Sequence, residues 1–331
     1  MPDNRQVRLA SAPEGAPTEA HFRVVDAPLP APAPGEVLVR NRWLSLDPYM
    51  RSQIAGRHLS GSVAPGDLMR GETVGEVIES RHADFASGDL VRGFGGWQHC
   101  AALPGESLAP VPAHIQPPSL ALSALGMPGL TAWAGIRFHA RPRPGEVLVL
   151  PAATGAVGAV AGQLARSLGC RVIGIAGSAE KCAYAVDTLG YEACLDRRRD
   201  DIGARLDALC PDGVDCYFDL VGGELLATVC TRLAIGARVV LCGGMADYNS
   251  PRPRPGPTPG VWIRARATVT GLVVYDYEDR RETCIDELLP LIERGELVVR
   301  EDVTEGLDAA PGAFCRLLRG ENLGKALVRL P

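Results

Sequence analysis

The chain has 331 residues, enough for two domains with a core each, and nearly half of them are apolar. Its 34 Lys and Arg stand against 39 Asp and Glu, and a net charge of −5 argues against broad binding to a nucleic-acid backbone. Residues 1–18 lack the apolar centre of a signal peptide. The longest stretch free of Asp, Glu, Lys and Arg, 107–136, is interrupted by five prolines, so no membrane span is predicted. A cytoplasmic protein without nucleic-acid or membrane partners is expected.

Up to about residue 125 the apolar runs are short and cut by Gly and Pro. Glu36–Arg40, Thr73–Ile78 and Asp89–Val91 read as strands of an irregular all-β unit. From about Gly145 the rhythm changes to strand, helix, strand. Strands are predicted at Glu146–Leu150, Arg171–Ala176, Ala193–Leu195, Asp215–Leu220, Arg238–Cys242 and Thr268–Val274. Between the first two, Val157, Val160, Ala161, Leu164 and Leu168 share one helix face. Near-continuous apolar strands alternating with amphipathic helices predict an α/β domain whose parallel sheet is covered on both faces. After about Leu297 short strands return, so the chain end is expected to rejoin the first domain. The boundaries read as 1–125, completed by about 297–331, and 126–296. Residues 250–260 carry alternating prolines and are predicted to be extended: a surface loop or, since they follow a strand end where such sheets bind ligands, a lid.

The run from Glu146 to Gly158 is a strand entering a glycine turn and then a helix. A dinucleotide pyrophosphate needs a tight turn, a backbone with no side chain in its way and helix N–H groups aimed at its charge. Gly155 and Gly158 take the second and third positions of a G-x-G-x-x-G pattern, Ala153 replaces the first, and Thr154, Ala156 and Val157 complete the turn. The second strand ends Ala176-Gly177-Ser178 with no carboxylate for a ribose hydroxyl, while Lys181 follows it and Arg197 follows the third strand. Cationic donors there suit a 2′-phosphate, which favours NADPH over NADH.

Ten cysteines without an export signal read as reduced thiols, and no Cys-x-x-Cys occurs, so no structural zinc site is predicted. In the first domain Cys100 follows His99 directly, and neighbours on a strand point to opposite faces, which makes them poor joint ligands. No metal is expected. No Gly-x-Ser-x-Gly elbow is present. Without a metal, conjugate reduction asks least of the protein: hydride goes to the β-carbon and one donor stabilises the enolate oxygen.

Four stretches carry a resemblance: Leu44–Arg51 (LSLDPYMR), Gly126–Trp133 (GMPGLTAW), Ala152–Gly158 (AATGAVG) and Gly320–Lys325 (GENLGK). The chain resembles the zinc-independent leukotriene dehydrogenase, prostaglandin reductase and 2-alkenal double-bond reductase family of medium-chain dehydrogenases/reductases. The resemblance implies a GroES-like β-rich catalytic domain built from both chain ends, a Rossmann domain between them, NADPH, no zinc and a homodimer. It implies that Lys181 meets the 2′-phosphate, that Met127 and Thr131 lie beside the nicotinamide, and that Cys242, Gly243 and Gly244 through Tyr248 run past it. Leu272, Val273 and Val274 would form the strand at the dimer edge, and Asn322 a C-terminal cofactor contact. Tyr248 corresponds to a tyrosine near the reacting carbonyl and Tyr49 to one lining the pocket. Three departures stand out: Arg197 where the family often has a tyrosine, Leu220 in place of an asparagine, and the proline-rich stretch in place of the usual lid. The expected reaction is reduction of the C=C bond of α,β-unsaturated aldehydes and ketones; quinone reduction on the same fold and a non-catalytic NADPH sensor are the alternatives.

Overall fold

A computed structural model describes residues 4–250 and 254–331; Pro251, Arg252 and Pro253 of the proline-rich stretch lie outside the described residues. Two compact units divide the chain, Met1–Ser123 with Glu301–Pro331 and Ala124–Arg300.

The first part of the chain forms β1 (Asn4–Leu9), β2 (Phe22–Ala27), β3 (Glu36–Ser45), a short helix α1 (Met50–Ile54), β4 (Thr73–Ser80), β5 (Leu90–Gly93), β6 (Cys100–Pro104) and β7 (Ala109–Pro110). The three predicted strand runs lie in β3, β4 and β5. Val37, Val39, Val77 and Val91 from those strands close a small core. Strand β3 carries two register irregularities against β4, which let one long strand serve as partner to several neighbours.

The second unit runs through α2 (Met127–Ala134), β8 (Val147–Pro151), α3 (Ala156–Ser167), β9 (Arg171–Ala176), α4 (Ala179–Asp187), β10 (Ala193–Asp196), α5 (Ile202–Leu209), β11 (Val214–Asp219), α6 (Gly223–Cys230), β12 (Leu233–Leu241), α7 (Pro259–Ala265), β13 (Thr268–Gly271) and α8 (Arg281–Glu293). Its six strands are all parallel, in the order β10-β9-β8-β11-β12-β13. The chain winds outward from β8 to β10, then returns to β11 and winds the other way. This is the Rossmann arrangement, with its switch point between the carboxyl ends of β8 and β11. Of the five residues predicted on one face of α3, Val160, Ala161 and Leu164 are buried, while Val157 and Leu168 at its two ends are partly buried.

Two expectations need correction here. The last strand stops at Gly271 rather than reaching Val274. Its partner β12 ends at Leu241, Leu272 N–H donates to Leu241 O (2.9 Å), and Val274 already opens a 3₁₀ turn to Arg280. The proline-rich stretch is not extended throughout either, because Pro259 opens α7. A proline in the first turn gives up an N–H that has no helical partner anyway, so its periodic neighbours mask a helix start.

The chain end returns with β14 (Glu301–Glu305), α9 (Ala310–Leu318) and β15 (Lys325–Arg329), and β15 pairs antiparallel with β3. Helix α9 has no counterpart in the strand-only expectation after Leu297. It packs Phe314 against the stacked Phe22 and Trp97 rings, edge-on to each at 6.0 and 5.7 Å, in the main core of the first unit. No helix among the described residues is long and apolar enough to cross a membrane.

Candidate active site

At the end of β8 the chain turns through Ala152 (φ +51°), and Gly155 N–H closes the turn on Ala152 O at 2.8 Å. Gly155 then caps α3, whose first N–H groups have no partner within the helix. A Cβ on Gly158 would lie 2.3 Å from Ala152 O, so this position admits no side chain. Ala153, in place of the first glycine, is fully buried, and Thr154 nearly so. Beneath the turn sits Tyr191, which the sequence reading did not single out. Its buried hydroxyl donates to Gly158 O (2.8 Å) and braces the glycine turn from below.

One strand over, Ser178 caps α4 by accepting from Lys181 N–H (3.3 Å), which places Lys181 in the helix's first turn. Arg197 N–H donates to Ala176 O (3.0 Å), and its guanidinium lies across Gly177, Nε 3.6 Å from where a Cβ would be. The fold thus brings Gly177, Ser178 and Arg197 together at the foot of the helix that carries Lys181. The nearest carboxylate by sequence, Asp196, is turned into its own loop, accepting from Arg198 N–H at 3.0 Å, and Glu180 is exposed. A glycine over which Arg197 alone lies, beside a helix N-terminus, fits a phosphorylated ribose.

At the carboxyl ends of β11 and β12 two turns interlock. Asp219 is buried, and its Oδ1 accepts from Tyr217 OH (2.9 Å), Val221 N–H (3.2 Å) and Gly222 N–H (3.0 Å). Its backbone carbonyl accepts from Cys242 N–H (2.9 Å) and Gly243 N–H (3.3 Å), and Ala246 N–H reaches Val221 O (2.9 Å). A Cβ on Gly243 would meet Leu220 O at 2.6 Å. Leu220 itself is buried, so the position that departs from the family pattern contributes packing rather than a polar contact. Asp219 is a second residue that sequence reading passed over; a lone Asp at a strand end carries no signal of the three donors it will collect. Asp219→Ala is expected to orphan all three and cost about 3 kcal/mol or more in urea unfolding, whereas Asp219→Asn keeps the acceptor and stays within about 1 kcal/mol of the parent. Equal losses in the two variants would refute this account.

Tyr248 follows the second of these turns. Burial pushes its phenol above the usual value, with a backbone bond at Gly244 opposing, so it carries its proton at neutral pH. Burial also pushes the Cys242 thiol up to about 12. On α2, Met127 and Thr131 are one turn apart, and the Thr131 hydroxyl donates to Met127 O (2.8 Å). After β13, Leu272 is buried and Val273 is 37 % exposed.

In the first unit, Tyr49 stacks on His58, ring centroids 4.7 Å apart. Asn322 Nδ2 donates to Gly324 O (2.7 Å). Two of the family-like stretches meet there: Lys325 Nζ contacts Asp47 Oδ1 at 2.5 Å and Leu46 O at 2.9 Å, with both side chains buried, and Ser45 Oγ donates to Asp47. Among the described residues no group of three or more His, Cys, Asp or Glu could hold a metal ion.

A β-rich unit made from both chain ends and a Rossmann unit carrying this glycine turn define a medium-chain dehydrogenase/reductase. Residues 5–111 match the family described as N-terminal domain of oxidoreductase, and residues 156–293 the one described as zinc-binding dehydrogenase. The chain is 40% identical to an NADPH-dependent curcumin reductase of Escherichia coli (strain K12), over 99% of this chain and 97% of that one. It is 35% identical to a 2-alkenal reductase (NADP(+)-dependent) of Nicotiana tabacum, over 98% and 97%. Among solved structures, CurA in complex with NADPH from Vibrio vulnificus superimposes with a TM-score of 0.94 at 39% identity, covering 99% of both chains. The chain belongs to the leukotriene dehydrogenase, prostaglandin reductase and 2-alkenal double-bond reductase family.

Proposed function

We propose that this protein uses NADPH to reduce the C=C bond of α,β-unsaturated aldehydes and ketones, without a metal. The observation that carries the cofactor choice is the cationic pair, Lys181 on the first turn of α4 and Arg197 across Gly177, at a strand end that offers no carboxylate. Relatives named for curcumin and 2-alkenal reduction support the substrate class.

Thr154, Gly155, Ala156, Val157 and Gly158 receive the pyrophosphate on the N-terminus of α3, while Gly177, Ser178, Lys181 and Arg197 hold the 2′-phosphate. Met127, Thr131, Cys242, Gly243, Gly244, Leu272, Val273, Val274 and Asn322 complete the cofactor's surroundings. NADPH, when bound, supplies the hydride that adds to the β-carbon. Tyr49 lines the substrate pocket, and Tyr248 donates a hydrogen bond to the carbonyl oxygen, where negative charge accumulates. The proton for the α-carbon comes from Tyr248 or from solvent. The protein works in the cytoplasm as a homodimer. Strand β13 supports the dimer, since among the described residues it pairs only with β12, carries the exposed Val269 and is followed by the exposed Val273.

The test is NADPH oxidation, with NADH in parallel, against a 2-alkenal, an aryl enone, a quinone and a saturated aldehyde. Turnover of the enal or enone with NADPH, unaffected by a chelator, is expected. Turnover of the quinone alone, or chelator-sensitive reduction of the saturated aldehyde, would overturn this reading. Tyr248→Phe is expected to lower kcat by about 10²-fold, the usual cost of one oxyanion donor. Full turnover in that variant would remove Tyr248 from the chemistry.

A further inference from the structure

Three of the ten cysteines, Cys182, Cys194 and Cys242, are not buried, and two of the three meet. Cys182 is the fourth residue of α4 and Cys194 lies in β10, and their thiols hydrogen-bond each other. Gly174, opposite Cys194 in the sheet, makes room for this: a Cβ there would lie 3.1 Å from the Cys194 sulfur. The pair sits within the framework of the phosphate site. Cys182 directly follows Lys181, and its backbone N–H donates to the Ser178 carbonyl at 3.0 Å. Its sulfur also meets the backbone of Ala176, whose carbonyl accepts the Arg197 N–H at 3.0 Å. Cys194 stands three residues before Arg197. Burial raises both thiols above their usual value, so they are protonated at neutral pH and react slowly. Two partly exposed thiols in contact, one on the helix that carries Lys181 and one on the strand that leads into Arg197, are placed to join those two elements.

We propose that Cys182 and Cys194 form a reversible disulfide that lowers the affinity of the protein for NADPH. This rests on the reading that Lys181 and Arg197 hold the 2′-phosphate. The oxidant is a small-molecule disulfide of the glutathione class. The Cys182 thiolate attacks one of its sulfurs and expels the first thiol; Cys194 then attacks the Cys182 sulfur and expels the second. Two protein thiols lose two electrons, one small disulfide gains them, and the two protons leave on the released thiols. A disulfide holds its sulfurs about 2 Å apart, well inside hydrogen-bond contact, so α4 draws toward β10. Charge-assisted bonds to a phosphate tolerate little displacement, and Lys181 and Arg197 flank the atoms that move. NADH has no 2′-phosphate and does not register the change. By linkage, bound NADPH opposes the oxidation by the same factor, so an ample supply of reduced cofactor keeps the pair reduced. In a reducing compartment the bond is transient and marks oxidising conditions.

The test incubates the wild type, Cys182→Ser and Cys194→Ser with oxidised glutathione. Peptide mapping by mass spectrometry locates the crosslink, and fluorescence titration gives the NADPH and NADH affinities before oxidation, after it, and after dithiothreitol. Expected in the wild type are a crosslink between Cys182 and Cys194, NADPH binding weaker by at least about threefold, a part of one charge-assisted contact, and NADH binding unchanged. Dithiothreitol should restore the starting affinity. Both serine variants are expected to bind NADPH as the reduced wild type does and to ignore the oxidant; if either misfolds, Cys182→Ala replaces it with the same outcomes. No crosslink, or a crosslinked protein that binds NADPH as tightly as the reduced one, would overturn the proposal. So would a loss of NADPH affinity that persists in Cys182→Ser, since another cysteine would then cause it. Lys181→Ala distinguishes the two possible failures. If it weakens NADPH binding while the crosslink does not, the switch is wrong and the phosphate site stands; if neither weakens it, the reading of the phosphate site fails as well.

Discussion

Replacing Lys325 with methionine is expected to destabilise the protein by about 3–5 kcal/mol, the largest single loss this structure leads us to expect. The ammonium group is buried against Asp47 and the Leu46 carbonyl, and the carboxylate is buried with it. Removing one partner strands the other charge in a medium that cannot solvate it, and that penalty outweighs anything the methionine regains by packing. The same argument fixes the sign of the second replacement. Asp47→Asn made in the Lys325→Met background removes the stranded charge, and the double variant is expected to be more stable than Lys325→Met alone. Urea titration of tryptophan emission gives both values, and Trp43 and Trp97 report on the unit concerned. A loss below about 1 kcal/mol for Lys325→Met would show that the pair is no better than an exposed one.

The second large effect falls on cofactor choice. Lys181→Ala and Arg197→Ala each remove a charge-assisted contact worth about 1.5–3 kcal/mol, so each is expected to weaken NADPH binding by about 10- to 150-fold. NADH lacks the 2′-phosphate, and its affinity should hardly move. With both cations gone the preference for NADPH should vanish, which parallel titrations with the two cofactors would detect. An unchanged NADPH-to-NADH ratio in either variant would exclude that residue from the phosphate site.

How legible the fold is from the chain depends on which kind of order is in question. The central parallel strands β8, β9 and β11 are buried nearly throughout and spell out apolar runs, and α3 carries an apolar face at helical spacing, so the Rossmann unit stands out from periodicity alone. Helices α7 and α9 stay hidden because both begin at or beside a proline, which in an unpartnered sequence reads as a break. The overlong final strand has a different cause. Leu272 to Val274 have strand-forming side chains, but a strand lasts only as long as its neighbour, and β12 ends at Leu241. In the candidate site, Lys181 and Arg197 are legible because the cofactor's chemistry demands cations at a known place in a β-α-β unit. Tyr191 is not, because its hydroxyl acts through the Gly158 carbonyl, which only the folded chain brings within reach, and Asp219 is not, because the N–H groups it collects two and three residues on depend on a turn that the aspartate alone does not announce.

The tyrosine beneath the glycine turn constrains which sequences can still fold this way. Its hydroxyl would be 2.1 Å from a methyl group placed on Gly162, one turn of α3 beyond the carbonyl it binds. Positions 162 and 191 therefore share one fixed volume. A side chain can be admitted at 162 only if the ring at 191 gives way, and a smaller residue at 191 leaves a void under the turn that an alanine at 162 would only begin to fill. Drift at either position alone is penalised, so the two must exchange as a pair, and a protein library randomised at both should return large-with-glycine and small-with-alanine combinations in place of independent choices.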